Sequence, residues 1–184
     1  MKRFKSTSAA LLLAFAVVGS ASQMRDPDVG GAPMFPSKNI IQNAVNSKDH
    51  TTLVAAVKSA GLVDTLSGAG PFTVFAPTNE AFDKLPAGMV DTLLRPDNKA
   101  ALVRVLTYHV LAGRTSSKDL VKMIKDGGGK AMLKTIQGGS LAAVVSNGKV
   151  VLTDEKGGMA AVTIADVYQS NGVIHVVDSV LLPN

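Results

Sequence analysis

Residues 171–184 read NGVIHVVDSVLLPN, an otherwise apolar run broken by one histidine and one aspartate. Runs of this kind, rich in valine and isoleucine, form strands. In a strand successive side chains alternate between faces. Val173, His175, Val177 and Ser179 therefore share one face, and Ile174, Val176, Asp178 and Val180 the other. Unless a bulge intervenes, His175 and Asp178 point to opposite faces and do not make an obvious pair. A polar group buried without a partner costs roughly 1–3 kcal/mol, so each is expected to bond a neighbouring backbone or side chain.

A second stretch, PFTVFAPTNEAFDKLP at 71–86, couples a strand to a helix. Phe72–Phe75 suits a strand, and Ala76 must stay extended because Pro77 follows it. Thr78 or Asn79 can cap a short helix carrying Phe82 and Leu85, with Glu80 and Asp83 at its positive end. Before this corner, helical spacing relates Ile40, Ile41, Ala44 and Val45. Leu53, Val54 and Val57 give a second helix, capped by Asp49 or Thr51 and ended by Gly61. Leu62, Val63 and Leu66 add a short turn.

After the corner, Met89–Leu94 reads as a helix stopped at Arg95-Pro96. A longer helix, KAALVRVLTYHVL, is expected over 99–111, with Leu102, Val105, Leu106 and His109 on one stripe and Gly113 closing it. Another begins near Ser116, with Val121 and Ile124 inward, and ends at Gly127. From Ala131 short β-like runs take over, and Ser146-Asn147-Gly148-Lys149 carries the hairpin signature. Helices in the first half and strands in the second make an α+β fold, a β-sandwich or small barrel with helices packed around it.

The N-terminus is set apart. A basic start, an apolar run at 9–18 too short to span a bilayer, and small residues at 19–22 describe a secretory signal peptide, 1–22. Residues 23–38 mix Pro, Gly and Asp without period and read as a flexible leader, with Met34 and Phe35 able to dock. The folded domain is expected over 39–184. Without the signal, 16 basic residues face 14 acidic ones, a net charge of about +2, too small to suggest a nucleic-acid partner. There is no cysteine, so thiol chemistry and disulfides are excluded.

Catalytic patterns are missing as well. The chain has no Gly-x-Ser-x-Gly elbow, no Gly-x-Gly-x-x-Gly and no P-loop. His50, His109 and His175 lack the i, i+4 spacing of a helical metal pair. His109, on an apolar stripe, reads as a core histidine with a hydrogen-bond partner. Glu80, Asp83, Asp166 and Asp178 are the carboxylates near the notable segments, and no two are visibly paired, which leaves a hydrolase as the least supported reading. Lys118, Lys122, Lys125, Lys130 and Lys134 form a basic run. It is either a solvated face or a surface that meets an anionic polymer or membrane.

Thr73–Phe82 (TVFAPTNEAF), Tyr108-His109 and Asn171–Pro183 (NGVIHVVDSVLLP) resemble, in order and spacing, the three signature segments of a fasciclin-like domain. KDHTTLVAAV and VLTYHVL are similar to bacterial single-domain members. The resemblance covers about 39–184. It implies a wedge-shaped β-sandwich of about seven strands with helices around it, the first and last signature segments lying as neighbouring core strands. It implies extracellular adhesion without an established catalytic centre. In animal relatives a Tyr-His pair and an Asp-Ile pair are tied to integrin binding; Tyr108-His109 matches the first, and Asp166-Val167 occupies the second with Val for Ile. Some members bind carotenoids.

The expectation is a secreted or periplasmic, monomeric, non-catalytic binding module. It mediates cell-surface or matrix adhesion through a protein or glycan, with no cofactor, metal, nucleic acid or transmembrane span. The alternative is a carrier of an apolar small molecule such as a carotenoid or lipid. The candidate interaction or signature residues are Thr78, Asn79, Tyr108, His109, Asp166, Val167, His175 and Asp178.

Overall fold

The structure is a computed structural model that describes residues 26–184; the expected signal peptide lies outside the described residues. The chain enters through a small hairpin, β1 (Asp28–Val29) and β2 (Ala32–Pro33), turned by Gly30 and Gly31 at φ 62° and 74°. Val29, Ala32 and Met34 are buried in the core. Asn43 brackets Phe35, accepting from its N–H at 3.1 Å and donating to its carbonyl at 2.8 Å. The expected leader is thus corrected from residue 28 onward. The Gly and Pro that suggest a loose segment here make a tight turn, and its apolar residues are part of the domain.

Helices follow as expected, with two changes. Asn39 and Gln42 form a capping box on α1 (Ile40–Ala44). A 3-10 turn leads into α2 (Thr51–Ala60), which Gly61 ends at φ 72°, and α3 (Val63–Ser67) follows. Neither Asp49 nor Thr51 caps α2, whose N-terminal residue makes no side-chain cap bond of its own. β3 (Phe72–Pro77) passes through the proline corner to α4 (Asn79–Asp83), and α5 (Met89–Leu94) and α6 (Lys99–Tyr108) come next.

The second change is that α6 stops at Tyr108, three residues short of the expectation. Val110–Ala112 form β4 instead, antiparallel to β3, with Val74 opposite Val110. Val110 and Leu111 are buried, and apolar spacing alone does not separate a last helical turn from a strand. The open edge of β3 decides it, because its N–H and C=O groups need partners. Phe75 N–H donates to the His109 carbonyl at 2.9 Å.

The remaining elements are α7 (Ser117–Asp126), β5 (Lys130–Lys134), β6 (Ser140–Ser146), β7 (Lys149–Thr153), β8 (Met159–Gln169) and β9 (Gly172–Val177). Asn147 and Gly148, at φ 51° and 76°, turn the β6–β7 hairpin. Seven strands form one sheet in the order β4-β3-β9-β8-β7-β6-β5. Only β3 and β9 run parallel, with Phe75 opposite His175. β8 changes partner along its length: Met159–Ala161 pair with β7 and Val162–Gln169 with β9, with irregularities between Val162 and Val167. The sheet curls there. Ile136 N–H, past the end of β5, donates to the Val110 carbonyl of β4 at 2.8 Å, so the two ends of the sheet nearly meet.

Two apolar clusters result. One lies between helices α1, α2, α3 and α6, the entry hairpin, and one face of β3 and β9. The other fills the curl and includes Leu120 and Ile124 of α7, Leu141, Leu152 and Phe75. β9 is buried at all six positions. Ile174 and Val176 face the first cluster and Val177 the second, while His175 stacks on Phe75 at 5.7 Å between ring centroids.

Entry to the parallel pair has no spare room, since a Cβ at Gly172 would overlap the Phe72 carbonyl and one at Gly70 the Asn171 carbonyl. Asn171, 5% exposed, secures this point. Its Nδ2 donates to the Leu66 and Gly68 carbonyls at 2.8 Å each, and its Oδ1 accepts from Ile40 N–H at 3.0 Å. Asn171→Ala would strand these three backbone groups. The variant is expected to lose about 3 kcal/mol in urea-unfolding measurements; a loss under 1 kcal/mol would mean that the contacts are incidental.

Candidate functional site

Each sequence-predicted residue proves to belong to a joint between elements. Thr78 accepts from Ala81 N–H at 3.2 Å and caps α4. Asn79 reaches across to α2: its Oδ1 accepts from Thr52 N–H at 3.0 Å and Thr51 Oγ1 at 3.2 Å, and its Nδ2 donates to the Lys48 carbonyl at 2.8 Å. α2 thus receives from a distant residue the cap that its own sequence does not supply.

Tyr108 and His109 sit where α6 gives way to β4, and both are buried. The Tyr108 hydroxyl donates to the Ser140 carbonyl at 2.8 Å and accepts from Glu155 N–H at 3.2 Å, and burial pushes its phenol pKa up. His109 Nδ1 donates to the Val105 carbonyl at 2.8 Å, one helical turn back, and its Nε2 accepts from Leu181 N–H at 3.0 Å. The carbonyl partner fixes the tautomer. Burial lowers its pKa to about 4.

His175 is held the other way round. Its Nε2 donates to the Thr115 carbonyl at 2.9 Å, and its Nδ1 accepts from Asp166 N–H at 3.2 Å. Burial lowers its pKa too. Asp166 lies in the irregular part of β8 at φ 59°. Its carboxylate accepts from Ser117 N–H at 2.7 Å and from the Ser117 hydroxyl, at the N-terminus of α7 where a negative charge is favoured. Val167 beside it is fully buried in the first cluster. The sequence did not single out Thr73, which completes this joint. Its hydroxyl donates to the Gly113 carbonyl at 2.7 Å and accepts from Thr115 N–H at 2.8 Å. A polar residue among the apolar ones of β3 is the signal that marks it.

Asp178 bonds neither histidine. Its Oδ1 accepts from Ala161 N–H at 2.8 Å, and its own N–H donates to the Ala161 carbonyl at 3.2 Å, which extends the β8–β9 ladder past the end of the strand. Lys84 donates to its carbonyl at 2.6 Å. The structure therefore brings His175 and Asp166 together, and keeps Asp178 and His109 apart from them in separate bonds. Among the described residues no group of three His, Asp or Glu has the geometry to hold a metal ion.

The basic run divides in two. Lys130 and Lys134 turn away from the cluster that Ala131 and Leu133 share with Leu120 and Ile124. Lys118, Lys122 and Lys125 instead cover the outer side of α7, where Lys122 pairs with Asp126 at 2.6 Å. Two small apolar cavities lie beneath α1 and α2, lined in common by Ile40, Ala44, Leu53 and Val74, each about 30 Å³. That is room for a water-sized guest and not for a pigment.

Comparison with known proteins places this geometry. A family model described as Fasciclin domain matches residues 48–183. Protein sll1483 of Synechocystis is 47% identical over 155 residues, covering 84% of this chain and 79% of that protein. Cell surface glycolipoprotein MPB83 of Mycobacterium bovis is 33% identical over 163 residues, covering 89% of this chain and 63% of that protein. A solved FAS1 domain pair from the insect cell adhesion molecule fasciclin I superposes with a TM-score of 0.69 at 22% identity, over 79% of this chain and 51% of that one, a likeness of fold.

The histidines make the domain sensitive to acid. A depressed folded-state pKa means that the unfolded chain takes up the proton first. Stability present above pH 6.5 is therefore lost as pH falls toward 4. His109 alone accounts for about 3 kcal/mol across that interval, and His50 and His175, lowered by burial, act in the same direction. Unfolding free energies measured from pH 7 to pH 4 should fall, and His109→Phe should flatten the slope while lowering stability at pH 7. An unchanged slope in that variant would show that His109 is not the group being protonated.

Proposed function

Because the chain belongs to the fasciclin domain family, we propose that it is an exported, non-catalytic, monomeric binding module. It acts through its outer surface on a cell-surface or matrix protein or glycan. One observation carries this reading. His109, His175, Asp166 and Asp178, the groups of the signature segments best suited to chemistry, are held in internal hydrogen bonds; His50 Nε2, beside one of the small apolar cavities, is buried without a partner among the described residues. His109 and His175 use both ring nitrogens, and Asp166 and Asp178 are occupied by backbone N–H groups.

Supporting observations point the same way. The 1–22 segment has the composition of an export signal. No helix among the described residues is long and apolar enough to cross a membrane. One relative is named a cell surface glycolipoprotein, and one fold neighbour is a domain pair from a cell adhesion molecule. On this reading Thr78, Asn79, Tyr108, His109, Asp166, Val167, His175 and Asp178 form the frame that holds the surface in shape and do not touch the partner. Buried Tyr108-His109 and Val167 offer a partner no side chain.

The test compares attachment of wild-type cells, a deletion strain and a complemented strain to abiotic and matrix-coated surfaces, with crosslinking mass spectrometry on intact cells. Attachment should fall on deletion and return with the full chain, and crosslinks should map to exposed residues. Equal attachment in all three strains, with no crosslinked partner, would overturn the reading. So would hydrolase turnover that Asp178→Asn abolishes without unfolding the protein.

A further inference from the structure

The tripeptide Ser-Asn-Gly occurs twice in the chain, at 146–148 and at 170–172. It carries a reaction of its own, because a glycine nitrogen has no side chain beside it to screen it from the preceding asparagine amide carbon. The fold treats the two copies in opposite ways. Asn147 and Gly148 are the exposed loop of the β6–β7 hairpin, at φ 51° and 76°. The last pair of the ladder is Ser146 with Lys149, and the two loop residues lie outside it. A Cβ at Gly148 would meet nothing within 4 Å beyond its chain neighbours, so the approach to its nitrogen is open.

The second copy is locked. Asn171 is buried at the entry to β9, and its amide makes the three bonds to Ile40, Leu66 and Gly68 described above. A Cβ at Gly172 would lie 2.1 Å from the Phe72 carbonyl oxygen, so the backbone here is wedged against β3. Bringing the Asn171 amide carbon onto the Gly172 nitrogen requires breaking all three bonds and shifting the parallel β3–β9 pair, which is an opening of the core. At Asn147, fraying of the last pair of a hairpin is enough. Opening an exposed loop tip costs far less free energy than opening core strands.

We propose that Asn147 is a site of spontaneous hydrolytic deamidation in the folded protein, and that the fold protects Asn171 from the same reaction. Water is the co-reactant. The Gly148 backbone nitrogen gives its proton to hydroxide and attacks Asn147 Cγ. The N–Cγ bond forms, the Cγ–Nδ2 bond breaks, and Nδ2 takes a proton from water and leaves as ammonia. A second water then opens the cyclic imide at either carbonyl. Breaking the new N–Cγ bond leaves aspartate at 147, and breaking the original peptide bond to Gly148 leaves isoaspartate. Asparagine and water thus become a carboxylic acid and ammonia, with no oxidation or reduction. Either product puts a negative charge near Lys149 at the hairpin tip. Isoaspartate also routes the main chain through one extra carbon, which a two-residue loop cannot absorb without releasing the pair of Ser146 with Lys149.

The test incubates the purified chain at pH 8, folded in buffer and unfolded in guanidinium chloride. Peptide mapping by mass spectrometry follows both sites over time, against a sample digested at the start that records deamidation during digestion. In the folded protein Asn147 should convert at least tenfold faster than Asn171, and in guanidinium chloride the two rates should come together. The folded rate at Asn147 should rise from pH 6 to pH 8, because the attacking nitrogen must lose its proton. Ion-exchange chromatography should show an acidic form accumulating in wild type and not in Asn147→Gly, a substitution that suits the same turn. Equal rates at the two sites in the folded protein would overturn the proposal. So would an unreacted Asn147 in folded protein over a period in which the unfolded chain converts. A rate difference that survives in guanidinium chloride would trace the selectivity to flanking residues and overturn the role given to the fold.

Discussion

Everything in this fold depends on β9 being covered on both faces. A strand packed between two apolar layers gains from each buried Val or Ile roughly 1.5–3 kcal/mol. It can carry a polar side chain only if that side chain is fully bonded. His175 meets the condition with the Thr115 carbonyl on one nitrogen and the Asp166 N–H on the other. Those two bonds reach different elements. Thr115 leads into α7, and Asp166 is the irregular point of β8 that also caps α7. A single imidazole therefore fixes where the curled half of the sheet and its covering helix sit relative to the central parallel pair. His109 plays the matching part between α6, β4 and the tail through Val105 and Leu181, with the opposite nitrogen protonated.

Because these joints bond to backbone, they constrain position more than chemistry. A carbonyl acceptor makes one ring nitrogen a donor, and an N–H donor makes the other an acceptor. Neutral imidazole meets both demands, and imidazolium, with two donors, meets only one. The same buried environment that stabilises the neutral ring removes it from service as an acid–base group near neutral pH. His109, lowered to about 4, is the clearest instance. An acid-labile core thus follows from the arrangement that keeps these rings neutral.

Much of this was legible in the sequence where a local rule applied. The hairpin at Asn147-Gly148, the cap at Thr78, the end of α2 at Gly61 and the strand character of β5 through β9 each follow from a few adjacent residues. The opposed faces of His175 and Asp178 followed from strand period, and the structure gives the two residues separate partners. The fasciclin-like resemblance added the neighbouring placement of the first and last signature segments, which β3 and β9 show. What resisted was non-local. α6 gives way to β4 because β3 needs an edge partner, and no spacing within 99–113 records that need. The entry hairpin looks like a leader until Asn43 and the first cluster are present to receive it. Asn79 caps a helix that lies before it in the chain, so no capping motif around α2 reveals it.

The contrast between interior and surface explains why the sequence's most conspicuous residues report on the frame and say little about the surface. A buried histidine stands out in a run of valines because its neighbours are apolar, and the same neighbours seal it from solvent. Exposed positions show no such contrast. The lysines of α7 and β5 read as one basic run in the sequence, yet they leave the domain on different sides because the α7 and β5 side chains facing each other share one cluster. In a fold whose joints are internal, the side chains that packing does not dictate lie at the surface. They can therefore change without disturbing β9, and the frame can persist whatever the surface carries.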